Sequence, residues 1–156
     1  MKLATLATLA ASMGLIQPAA AQLESYKDYN ISEATSIVTA VKVKANMLDY
    51  YLEGLRETWV ASNDVAKSLG QIEGYNIYTS ALPESGDFNL LLVVHFKNTA
   101  DIGPSKARYE AFMQAWGERR QEESRATAAT YPDVREITGN YMMNEITFLS
   151  SGAPPR

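Results

Sequence analysis

His95, the only histidine in the chain, is the side chain best suited to move a proton near neutral pH. It stands in the run Leu90-Leu91-Leu92-Val93-Val94-His95-Phe96, on the parity opposite Val94 and Phe96. No serine, aspartate or glutamate motif marks a catalytic partner for it, so it is a weak catalytic candidate. It reads better as a structural or interface histidine bonded to a neighbour. A second possible chemistry is aromatic. Tyr51, Trp59, Tyr109, Phe112 and Trp116 fall on two helical stripes. Such rings, gathered over a sheet, could hold a flat apolar ligand by stacking and area burial, or simply pack as core. Tyr78 and Tyr141 could add hydroxyls to the same pocket.

Other chemistry lacks its parts. Without cysteine there can be no disulfide, thiolate metal site or cysteine nucleophile, and a single histidine excludes a two-histidine metal site within one chain. Asp49, Glu53 and Glu57 recur at i, i+4 and i+8, but a solvated helix face with Arg56 and Lys67 nearby accounts for them. Gly70, Gly74 and Gly86 are too far apart for a phosphate-cradling loop, and no nucleophile-elbow sequence occurs. No metal and no cofactor are expected.

The elements that must position these residues follow from periodicity. Residues 22–35 are polar and read as an N-terminal arm, and a first strand is expected from Ser36 to Lys44. Asn46 reads as the N-cap of a helix of about 24 residues. Leu48, Tyr51, Leu52, Leu55, Trp59, Ala66 and Leu69 would form its apolar stripe, and Gly70 its left-handed end. A second strand is expected over Glu73–Ser80, a turn over Leu82–Asp87, and a third strand over Phe88–Lys97. The third strand is apolar on both faces, with Leu90, Leu92, Val94 and Phe96 on one side and Leu91, Val93 and His95 on the other. Pro104 suits the first turn of a second helix carrying Tyr109, Phe112, Met113 and Trp116, and the pattern turns polar beyond Gly117. Tyr131-Pro132 breaks that helix. A last strand, Arg135–Phe148, switches apolar parity near Asn144, which implies a bulge, and 150–156 is a tail.

This order is β-α-β-β-α-β, the ferredoxin-like split βαβ arrangement of an α+β domain, with an antiparallel sheet and two helices on one face. The other face would be left as an exposed apolar patch, which dimerisation through the sheets would cover. The element order over residues 36–149 resembles the dimeric α+β barrel superfamily, which includes antibiotic-biosynthesis-monooxygenase-like and stress-responsive barrel domains. So do the long helix ending at Gly70, the segment Asn89–Asn98, and the segments Arg135–Gly139 and Glu145–Phe148. The resemblance implies a homodimeric barrel and a pocket between helices and sheet in each subunit. Haem-degrading members carry a histidine on the second helix, where this chain has none.

Met1-Lys2, the apolar run Leu3–Ile16 and the site Ala19-Ala20-Ala21 read as a signal peptide over 1–21, with cleavage before Gln22. The run is short against the ~20 residues needed to cross a bilayer, so no membrane association is expected after its removal. Without Lys2 the chain carries 13 basic and 18 acidic residues, which disfavours nucleic acid as a partner. The expected protein is therefore periplasmic or secreted, a homodimer of unassigned activity that binds a small apolar or aromatic ligand. The alternative is a cofactor-independent monooxygenase or isomerase acting on an aromatic or quinone-like substrate, with His95 or a tyrosine as proton acceptor.

Overall fold

The computed structural model describes residues 22–82 and 86–149. The expected signal segment 1–21, residues 83–85 of the expected turn and the expected tail 150–156 lie outside the described residues. The first strand, β1 (Tyr29–Val43), alternates side chains so that Val41 and Val43 are buried on one face and Ala40 on the other. It starts seven residues before the expected Ser36, so 29–35 are strand and the arm proper is only 22–28. Polar composition hid this because these residues are stabilised by backbone pairing with the end of the chain and bury little.

A helical rod follows, made of α1 (Leu48–Leu55), one π-helical turn over Arg56–Val60, and α2 (Ala61–Ser68). Asn46 is not its N-cap. It adopts φ +61°, a left-handed turn conformation that asparagine tolerates, and Met47 caps the helix without a side-chain bond. The C-terminus is as expected: Gly70 has φ +66°, its N–H bonds Lys67 O, and the Gln71 N–H reaches back to Ala66 O. The π turn also breaks the expected continuous stripe. Tyr51 and Leu55 are buried before it and Thr58 within it, whereas Leu69 is exposed.

β2 (Gly74–Thr79) and β3 (Leu90–Phe96) form an antiparallel pair, followed by α3 (Lys106–Trp116) and α4 (Glu118–Ala128). Ser105 caps α3 by accepting the Arg108 N–H, so Pro104 lies just outside the helix instead of in its first turn. Gly117, at φ +83°, separates α3 from α4. Tyr131–Val134 forms a short turn of helix, α5, before β4 (Arg135–Phe148).

The sheet order is β2-β3-β1-β4, every neighbouring pair antiparallel, with the helices on one face. This is the α+β ferredoxin-like fold. On the helix side, Val41, Val43, Leu90 and Leu92 pack with Tyr51, Leu55, Tyr131 and Val134. The β1–β4 ladder shifts register between Ile31 and Thr35, opposite Asn144–Ile146, where the parity switch placed a bulge. The extra residues sit on β1, and the Asn144 amide gathers them by donating to Ser32 O, Ala34 O and Thr35 Oγ1.

Asn89 extends the β1–β3 ladder by one step with its side chain. Its Oδ1 accepts from Val43 N at 2.7 Å, and its Nδ2 donates to Val43 O at 2.8 Å. Asn89→Ala should leave both Val43 groups without that partner and cost about 1–3 kcal/mol in urea unfolding. A loss within error of zero would show that the amide does not pin the strand end.

Candidate functional site

The residues with chemical potential fall on opposite sides of the sheet. Register puts Ser36, His95 and Gly74 side by side across β1, β3 and β2, on the face turned away from the helices. The Ser36 Oγ lies 2.8 Å from His95 Nδ1, and Asn76 Oδ1 lies 2.8 Å from His95 Nε2. Because Asn76 Oδ1 can only accept, Nε2 donates to it, and in the neutral ring Nδ1 then accepts from the Ser36 hydroxyl. A neutral imidazole thus uses both ring nitrogens. Sequence reading missed Ser36 and Asn76 because each is brought to His95 by strand pairing and not by proximity in the chain.

Val38, Leu91, Val93, Tyr78, Tyr141 and Met143 share this open face by register. Tyr78, Tyr141 and Met143 are 53%, 54% and 56% exposed. The Tyr141 ring folds over Gly139, where an added Cβ would stand 2.6–2.8 Å from the ring and its hydroxyl. An aromatic covering a strand glycine is a recognised way of filling a gap in a sheet surface. Tyr78 and Tyr141 therefore stand away from the helix-side aromatics with which they were expected to form a pocket.

On the helix side the rings pair off. Tyr51 packs edge-on against Tyr131 at 5.1 Å between centroids, Trp59 edge-on against Tyr75 at 5.2 Å, and Phe112 stacks on Trp116 at 6.0 Å. Tyr109 is exposed. The expected aromatic pocket is thus occupied by its own rings, with Tyr51 2% and Trp116 4% exposed. Tyr131, which the Pro132 signal concealed, completes this layer. Its ring lies against Gly54, where a Cβ would come within 3.1 Å of it. Thr58 Oγ1 donates to Gly54 O and receives the Tyr131 hydroxyl proton at 2.5 Å. The π turn is what brings Thr58 inward to meet it.

A cleft of about 680 Å³ opens on this side between the helical rod and α3–α4. Trp116 is the one expected aromatic on its wall, and Arg120 lies over that ring at 5.8 Å. Glu57, Asp64, Glu123 and the hydroxyls of Thr58 and Thr127 share the rest of the lining with Ala61 and Val65. Asp49 and Glu53 lie outside it, so the three carboxylates do not converge. Among the described residues there is no cluster of three or more histidine or carboxylate groups able to hold a metal, and no helix is long and apolar enough to cross a membrane.

No family model and no curated protein matches the sequence. Among solved structures, the chain is similar to HapK from Hahella chejuensis, at 12% identity over 78% of this chain and 99% of that one, with a TM-score of 0.43. It is also similar to a nipsnap family protein with unknown function from Agrobacterium tumefaciens, at 19% identity over 76% and 93%, TM-score 0.44. A dimeric ferredoxin-like protein of unknown function from Thermobifida fusca is similar at 8% identity over 76% and 92%, TM-score 0.38. The strand order of this chain itself defines it as ferredoxin-like.

Burial pushes the Tyr51 and Tyr131 hydroxyls above the ordinary tyrosine range, against the opposing charge of Arg135. The neutral phenols are therefore favoured in the folded state. Their contribution to stability is complete below about pH 10 and is lost as pH rises through the folded values. Ultraviolet titration should show these two rings ionising after the exposed tyrosines, together with unfolding, and Tyr131→Phe should flatten the alkaline loss of stability. Ionisation of all tyrosines in one step near pH 10 in the folded protein would contradict their burial.

Proposed function

We propose that this protein is exported and works as a homodimer closed through its open sheet faces into an α+β barrel, as a binding protein and not as an enzyme. The observation that carries the dimer is the exposed apolar surface formed by Tyr78, Tyr141, Met143 and the residues between them. A second copy suits it. The centre of the face is apolar, Lys42 pairs across the ladder with Glu136 at one end, and the polar trio around His95 satisfies its own hydrogen bonds. Like charges therefore do not meet at the middle of a two-fold contact.

The sheet face alone is smaller than a full interface. Four strands about 4.8 Å apart and roughly 24 Å long give a face of only about 450 Å², against about 800 Å² per partner in a stable complex. The β1–β4 ribbon supplies more. β3 ends opposite Thr35, so residues 29–34 pair with β4 alone. Its Met143 and Glu145 share the open face, whereas exposed Ile146 and Phe148 alternate to its other side. Reaching past the sheet of its own chain, the ribbon is placed to embrace a partner.

The ligand reading moves from the aromatic rings to the interhelical cleft, whose volume lies in the range of about 300–1,000 Å³ common for small-molecule sites. Its walls mix Ala61, Val65 and Trp116 with carboxylates and hydroxyls, which suits a ligand with both polar and apolar parts better than the flat apolar one expected from sequence. His95 lies across the sheet from the paired rings, so no geometry supports its acting on an aromatic substrate held among them.

Native mass spectrometry of protein from the exported fraction should give a dimer of chains beginning at Gln22. Tyr78→Lys and Met143→Lys should each weaken that dimer by about 2 kcal/mol or more while leaving the circular dichroism unchanged. A wild-type monomer at micromolar concentration would overturn the reading.

A further inference from the structure

We propose that His95 makes the assembly of two copies sensitive to acid, an inference that rests on the homodimer read above. His95 stands on the open face among Val93, Leu91 and Val38, with Ser36 on one nitrogen and Asn76 on the other. Covering that face with a second copy removes the imidazole from water in its neutral, fully bonded form. Proton uptake would break neither hydrogen bond, because the Ser36 hydroxyl can turn to accept from Nδ1. The penalty arises from placing a positive charge in a dry, apolar interface.

The groups around His95 offer that charge no compensation. From β1 the facing neighbours are Ser36 and Val38, and from β2 they are Gly74, Asn76 and then Tyr78. Along β3 itself, the next position on the same parity is Lys97, a second positive group. From β4 the same row brings Met143, and beyond it Glu145, two strands away and one pair further towards the ribbon. Glu73 gives its backbone N–H to the His95 carbonyl, but precedes Gly74 and so has the opposite parity. A two-fold partner presents the same set again, including its own His95. Two imidazoles must therefore stay neutral for the faces to close.

Each of the two imidazoles must exclude a proton for the faces to close, so the dissociation constant at about pH 5.5 is expected to exceed that at about pH 8 by roughly tenfold per copy, about 100-fold in all. Sedimentation equilibrium of the purified protein at the two pH values tests this, alongside His95→Gln and His95→Asn, which bond without titrating. The expected result is a wild-type dimer that weakens about 100-fold in acid, an amide variant whose dimer does not, and unchanged circular dichroism throughout. A wild-type dimer equally tight at both pH values overturns the proposal and leaves the dimer standing. So does acid weakening that persists in both amide variants. A wild-type monomer at about pH 8 overturns the dimer and this proposal with it.

Discussion

β3 turns Leu90 and Leu92 towards the helices and Leu91 and Val93 away from them, and the described residues supply one helical layer for the two sides. Burial on the helix side is thorough, with Leu90 and Val41 fully enclosed. At roughly 25 cal/mol per Å² of apolar surface, that side supplies the main driving force for folding. The far side has Ala40 and Val93 buried by neighbours within the sheet, but Tyr78, Tyr141 and Met143 remain half exposed above them. An apolar sheet surface of this kind is costly in water and prone to association. The other features of the molecule follow from how each face is handled.

On the covered side, the π turn is the adjusting device. It lets the rod change its buried face midway, so Tyr51 and Leu55 reach the sheet and Thr58 turns to meet Tyr131. Glycine at position 54 leaves room for the Tyr131 ring. The rings that might have lined a ligand pocket are consumed in this packing. What remains open lies between the helices and is lined by carboxylates, hydroxyls and Arg120. On the uncovered side, polar groups are few and are already paired with one another, as the Ser36–His95–Asn76 row shows.

Much of the fold was legible in the sequence because alternation and helical spacing are local signals. The double apolarity of Leu90–Phe96, the end at Gly70 and the parity switch near Asn144 all correspond to structural events. The readings that fail depend on partners distant in the chain. Residues 29–35 form strand because β4 pairs with them, and nothing in their own composition says so. Asn46 has the composition of a cap but the backbone of a left-handed turn. The aromatic stripes were visible, but which ring would stack on which was not, because Tyr131 and Tyr75 enter from other elements. The row around His95 depends on register alone.

The central claim is that the open sheet face of one copy is covered by that of another. Isotope-filtered nuclear Overhauser spectroscopy on a mixture of labelled and unlabelled chains tests it directly. The account predicts contacts from the methyl groups of Val38, Leu91 and Val93 in labelled chains to the rings of Tyr78 and Tyr141 in unlabelled ones. Spectra in which these methyl groups contact only their own chain, at concentrations where a dimer is present, would contradict it and place the interface elsewhere.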